Sequence, residues 1–167
     1  AGSQINSPFP DYNPFVNKKE TILYYASKRQ GNMGNLIDYD GYNTADILYS
    51  ESKYGAWIKY KRLVATLNTP LVEEICGLSS DGSYLFAYVD NLEFKNQACV
   101  TVKEGKSFIR FKVLGANINT SKANARSVAI TPDKKIIFFS SLREDGQGGS
   151  DIYMSRILPS GQWGPAV

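Results

Sequence analysis

Apolar residues along this chain come in short runs of four to six, separated by glycine, proline, asparagine and aspartate. That pattern predicts short β-strands joined by turns, not helices. The clearest stretch is Ile136-Ile137-Phe138-Phe139-Ser140-Ser141, which follows the turn-forming Thr131-Pro132-Asp133-Lys134-Lys135. A glycine-rich loop at 144–150 leads into Asp151-Ile152-Tyr153-Met154-Ser155, and Gly161-Gln162-Trp163-Gly164-Pro165 closes the stretch.

The same order occurs earlier. Ile22-Leu23-Tyr24-Tyr25-Ala26-Ser27-Lys28-Arg29 superposes without a gap on residues 136–143, and Asp46-Ile47-Leu48-Tyr49-Ser50 matches residues 151–155. Trp57 follows Asp46 by eleven residues and Trp163 follows Asp151 by twelve. A middle copy has Ile75-Cys76-Gly77-Leu78, the turn Ser79-Ser80-Asp81-Gly82-Ser83 and Tyr84-Leu85-Phe86-Ala87-Tyr88-Val89. Asp-Gly between apolar runs is a strong hairpin signal, because glycine tolerates the positive φ of such turns. Ala98-Cys99-Val100-Thr101-Val102 and residues 107–113 supply its third and fourth strands, but the Asp-Ile-Tyr element and the tryptophan are lost.

Three boxes mark the period: Ile5-Asn6-Ser7, Leu67-Asn68-Thr69 and Ile118-Asn119-Thr120. From Asn6 to Asn68 is 62 residues and from Asn68 to Asn119 is 51, the long loop at 30–45 accounting for most of the difference. Periods of that size mark solenoids, propellers or arrays. The boundaries expected are one domain over 1–167, with units at 5–66, 67–117 and 118–167. The near-continuous apolar second strands predict sheets covered on both faces. Four-stranded sheets packed radially in this way form a β-propeller. The fold expected is therefore all-β, with three four-stranded antiparallel blades forming a partial ring. The rest of a five- to seven-bladed ring would come from the same polypeptide or from a second copy.

Composition narrows the chemistry. The chain has 167 residues, 43% hydrophobic and 13% aromatic, which is enough to bury a sizeable core. A formal net charge of +3 is too small for a nucleic-acid surface. No apolar run approaches the roughly 20 residues of a membrane span. There is no histidine, which removes the commonest general base and metal ligand together with every Ser-His and Cys-His pair. Cys76 and Cys99 fall on strands one and three of one sheet, two strand spacings apart, and read as buried free thiols.

Residues 131–143 with Gly148-Gly149-Ser150-Asp151-Ile152-Tyr153, the Leu-Gly-x-x-Ile-Asn-Thr box and the closing Gly-x-Trp-Gly-Pro resemble the TolB-like, WD-type propeller repeat. The version they are similar to is common in Bacteroidetes envelope proteins that carry OmpA-like domains. The resemblance implies a periplasmic or envelope-associated location. It also implies partners among envelope or type IX secretion proteins, with peptidoglycan reached through an adjoining domain. The function expected is a non-catalytic protein-binding scaffold, with neither enzyme activity nor cofactor. The alternatives are a propeller segment of a hydrolase or peptidase whose catalytic domain lies outside this chain, and a glycan-binding module. No Gly-x-Ser-x-Gly elbow occurs here.

Candidate sites are few. Asp38, Asp40 and Asn43 surround Gly41 as oxygen ligands do in a calcium loop, without the closing bidentate glutamate, and also suit plain turns. The loop at 144–151 lacks the Lys-Ser/Thr of a phosphate-binding loop. Asp46 and Asp151 suit loop-fixing acceptors of backbone N–H groups. Trp57 and Trp163 suit packing, and Arg110 and Lys112 suit the protection of an exposed sheet edge. Asn6, Asn68 and Asn119 are expected to occupy equivalent places in successive units.

Overall fold

The computed structural model describes residues 2–120 and 125–167. Its strands are all antiparallel and fall into three sheets. In the first, β1 (Asp11–Val16), β2 (Ile22–Ser27), β3 (Asp46–Lys53) and β4 (Ala56–Trp57) lie side by side, and β5 (Lys61–Arg62) also pairs with β3. In the second, β6 (Val72–Leu78), β7 (Tyr84–Asp90) and β8 (Gln97–Glu104) are followed by β9 (Ser107–Phe108) and β10 (Lys112–Val113), both paired with β8. The third contains β11 (Val128–Ile130), β12 (Ile136–Ser141) and β13 (Asp151–Arg156). One 3-10 turn, Met33–Asn35, lies in the long loop, and among the described residues no helix is long and apolar enough to cross a membrane.

The fourth strand expected of each unit is where the sequence reading needs correction, and among the described residues the third sheet has only three strands. Residues 107–113 suggest one continuous strand, but the observed strand breaks into β9 and β10 around residues 109–111. The cause repeats in every sheet. The hydroxyls of Ser50, Thr101 and Ser155 donate to the carbonyls of Ile58, Ile109 and Gly164, diverting an oxygen that a regular ladder would use. At this break Phe111 is almost fully buried in the core between the first and second sheets. In the third sheet the same position is taken by a mutual backbone pair between Met154 and Val167.

The core lies between the sheets. Tyr24, Ala26 and Ile47 of the first meet Ile75, Leu85, Ala87, Val89 and Cys99 of the second. Cys76, Phe86 and Ala98 on the second sheet's other face meet Val128, Ile137, Phe139 and Tyr153 of the third. Both cysteines are buried free thiols. Expected burial on both faces holds for β7, but not for β12, whose Phe138 faces away from the second sheet and is exposed.

The first strands β1, β6 and β11 converge. Asn13 of β1 donates from Nδ2 to the Ile75 carbonyl of β6 at 3.1 Å. On the other side of β6, Gly77 comes so close to β11 that a Cβ there would lie 2.1 Å from the Val128 carbonyl oxygen. Only glycine permits that approach.

Candidate functional site

The three boxes form one repeated device. In each, a two-bond turn closes on the residue four before the asparagine: Ile5 and Asn6 donate to Gly2 O, Leu67 and Asn68 to Val64 O, Ile118 and Asn119 to Gly115 O. Asn68 then grips the preceding sheet, accepting from Ile47 N–H and donating to Ile47 O, both at 2.9 Å. Asn119 grips Ala98 in the same way, at 2.9 and 2.8 Å. Asn6 is exposed.

The hydroxyl residue that ends each of the first two boxes fixes a carboxylate four positions on. Ser7 donates from N and Oγ to Asp11 Oδ2, and Thr69 donates from N and Oγ1 to the Glu73 carboxylate. The end of each second strand answers it. Arg29 binds Asp11 at 2.6 Å and the Ile5 carbonyl at 2.7 Å, with its guanidinium 3.9 Å from the Tyr60 ring centre. Asn91, at the same repeat position, binds Glu73 Oε1 at 3.0 Å. Burial pushes the Glu73 carboxyl up, against the hydrogen bonds from Thr69 and Asn91. At Asp11 burial acts in the same sense, but the bonds from Ser27, Arg29 and Ser7 outweigh it and leave the carboxyl below its usual range. Arg143 instead binds the carbonyls of Asn117 and Ile118 and lies over Phe139 and Tyr153.

Where the first strands meet lies a cluster drawn from the first two sheets and from the segment that enters the third. The Tyr12 hydroxyl of β1 donates to Glu74 Oε1 of β6 at 2.5 Å. Glu74 lies opposite Tyr88 in the β6–β7 ladder, and the Arg126 guanidinium, from the segment entering β11, sits 4.0 Å from the Tyr88 ring centre. The Tyr88 hydroxyl also bonds to Asn96 Oδ1. Burial raises both phenols; Glu74 pushes Tyr12 in the same direction, whereas Arg126 opposes the rise at Tyr88. Asp38 and Asp40 add their negative field at Tyr12.

The arrangement offers one carboxylate, two phenols, a guanidinium and a primary amide at a single junction. Phenol and carboxylate can hydrogen-bond sugar hydroxyls, ring faces can pack against their C–H faces, and a guanidinium suits a carboxylate or phosphate. A carboxylate beside a bound acyl carbon can also draw a proton from an attacking water.

The residues singled out in sequence lie mostly outside this junction. Asp38 and Asp40 hold the Lys28 ammonium between them, at 2.7 and 2.6 Å. Their pull overcomes the burial that would otherwise lower the Lys28 pKa. Asn43 is buried nearby and forms an isolated bridge with Ile37. Asp46 Oδ2 accepts the Met33 N–H and faces Arg62 at 3.6 Å, while burial raises its carboxyl. Asp151 Oδ2 accepts the Gln147 N–H at 2.8 Å and so shapes the glycine-rich loop. Trp57 packs on the back of the first sheet and Trp163 between the second and third. Sequence reasoning missed Tyr12, Glu74, Tyr88 and Arg126. The available signal was the Glu73-Glu74 pair breaking an apolar strand four residues after a box threonine.

No protein-family model and no curated protein matches the sequence. Among solved structures, the chain is similar to a protein provisionally described as a 6-phosphogluconolactonase from Bacteroides uniformis. The identity is 14%, the TM-score 0.48, and 98% of this chain and 42% of that one are covered. It is also similar to the periplasmic gluconolactonase of Pseudomonas aeruginosa, at 15% identity and a TM-score of 0.44, over 88% and 39% of the two chains. The chain thus spans about two fifths of the length of the structures it matches.

These neighbours correct the TolB-like, WD-type resemblance and the Bacteroidetes-type envelope and type IX secretion associations drawn from it, since neither is named as such a propeller. The motif residues perform tasks that any short-stranded sheet requires: Thr131 and Asp133 bond within their own turn, and Asp151 caps its own loop. The non-catalytic scaffold and the non-enzyme reading are corrected too, because both neighbours are named as lactonases. The peptidase-segment and glycan-module alternatives find no support either. Missing histidine and serine-elbow chemistry excluded two catalytic routes, but left a carboxylate-centred one open.

Proposed function

We propose that the three sheets are consecutive wedges of a β-propeller, at 5–66, 67–117 and 118–167, with the fourth strand of each split by its bulge. The junction of their first strands is a site that binds a small polyhydroxylated acid in its lactone form and hydrolyses it. Glu74 takes the proton of the attacking water and returns it to the ring oxygen as the bond from that oxygen to the acyl carbon breaks, and Arg126 faces the negative charge that develops on the acyl oxygen. Tyr12 orients Glu74, and the Tyr88 ring packs against the sugar. The location is periplasmic.

The observation that carries this reading is the Tyr12–Glu74 bond with Arg126 over the Tyr88 ring, which brings together groups from the first two sheets and from the segment entering the third. A lactone combines an acyl centre open to water with the hydroxyls that such groups recognise. The test is acid release from glucono-δ-lactone and its 6-phosphate at constant pH, with gluconate binding followed by calorimetry. Acid release above the uncatalysed rate, lost in Glu74→Gln while gluconate still binds, is the expected result. Uncatalysed rates and no gluconate binding would overturn the reading.

A further inference from the structure

A cavity of about 140 Å³ lies between the first and second sheets and shares no residue with the junction. Tyr24, Tyr49 and Glu51 line it from the first sheet, and Lys103, Lys106 and Phe108 from the second and its β8–β9 turn. Its floor is aromatic. The Tyr24 ring meets Phe108 edge-on at 5.8 Å and Tyr49 at 5.9 Å, and Tyr24 and Phe108 are only 3% and 7% exposed. An apolar cavity of about 150 Å³ is enough to hold a single benzene ring.

Three polar groups at this cavity are unspent. The Tyr24 hydroxyl bonds to no described residue, and burial pushes the phenol up to about 12, so at neutral pH it keeps a proton to donate. Lys103 and Lys106 pair with no carboxylate among the described residues. The Lys103 ammonium lies 5.8 Å from the Phe108 ring centre. Glu51, the carboxylate beside them, is already held by Lys61 at 2.7 Å. The next cleft, between the second and third sheets, shows that the fold does not require this set. There Phe86 holds the position of Tyr24, Val100 that of Tyr49 and Val102 that of Glu51, counted from the clamped residues Ile47 and Ala98. Ile157, which bridges to Trp163 as Lys103 pairs with Phe108, holds the position of Lys103.

We infer that this cavity binds a small aromatic carboxylate. The ring enters against Tyr49 and Phe108, where aromatic pairs gain from offset and edge-on contacts. The carboxylate stays at the mouth, where Lys103 and the exposed Lys106 supply ammonium groups. A hydroxyl para to the carboxylate accepts the hydrogen bond that the Tyr24 hydroxyl has to give. The site is separate from the lactone site and does not depend on that reading.

The test is calorimetric titration of the chain with 4-hydroxybenzoate, benzoate and the uncharged 4-hydroxybenzamide. The expected result is that 4-hydroxybenzoate binds tightest, with each of the other two weaker by about tenfold, the cost of one lost hydrogen bond or charged contact. Tyr24→Phe removes the advantage of the hydroxyl and keeps that of the acid. Lys103→Gln combined with Lys106→Gln does the reverse, at positions outside the buried core that leave circular dichroism unchanged. No binding of 4-hydroxybenzoate at millimolar concentration, or binding indifferent to both variants, would overturn the inference. Loss of binding in Arg126→Gln would overturn it as well, by placing the acid at the junction instead.

Discussion

Asn68 closes both hydrogen-bonding groups of Ile47, a residue on the preceding sheet, with two bonds of 2.9 Å. Both residues are fully buried. Replacing Asn68 with alanine leaves the buried Ile47 N–H without a partner, at about 1–3 kcal/mol, and its carbonyl with only the longer bond from the Leu63 N–H at 3.4 Å. Asn68→Ala should therefore lower the unfolding free energy by about 1–3 kcal/mol, measured by urea denaturation. Asn6→Ala, with an exposed carboxamide, should leave the midpoint unchanged.

Gly77 carries a second inter-sheet constraint. A methyl group there would meet a backbone oxygen, Val128 O at 2.1 Å, which cannot swing aside as a side chain can. Gly77→Ala should cost about 1–3 kcal/mol or more, the range of overpacked core positions. The same denaturation series tests it, and Gly148→Ala, with open space around its Cβ position, is the matched control.

The buried carboxyls set a pH dependence. Glu73 and Asp46 are raised above their ordinary values of 4.5 and 3.8, in each case first by burial. The folded state therefore holds protons that the unfolded chain has released. Their contribution is complete below the ordinary values and is lost as pH rises through the raised ones. Asp11 is lowered and acts oppositely, losing its contribution as pH falls below 3.8. Denaturation midpoints from pH 3 to pH 8 should show a decline on the alkaline side of 4.5, and Glu73→Gln should flatten it.

Both thiols should be silent in the native state. Burial raises Cys76 strongly, and it pushes Cys99 up to about 12. Thiolate, the reactive form, is then scarce at neutral pH. A disulfide-exchange reagent at pH 8 should titrate no thiol in the folded protein and two in urea.

Much of the architecture was legible in the sequence because it depends on local chemistry repeated at fixed intervals. The Asn boxes, the Asp-Gly turn before Tyr84 and the match of residues 22–29 to 136–143 each specify a short piece of backbone, and each piece recurs. The junction was not legible. Tyr12 and Glu74 stand at one repeat position, each six residues after a box asparagine, but the residue types differ and Arg126 follows Asn119 by seven, so only the convergence of β1, β6 and β11 shows that they come together. The split fourth strand was hidden for a related reason. A serine or threonine on the third strand captures a carbonyl eight or nine residues later, and Ser50, Thr101 and Ser155 look like ordinary strand positions. The family resemblance misled because residues 131–135 encode a turn, and turns are shared across unrelated sheets.

The equivalence of the three boxes is tested most directly by hydrogen exchange of the asparagine side-chain amides, followed by NMR. The clamps predict slow exchange at the carboxamides of Asn68 and Asn119 and solvent-rate exchange at Asn6. Solvent-rate exchange at all three, or protection of Asn6 with none at Asn68 and Asn119, would contradict the account.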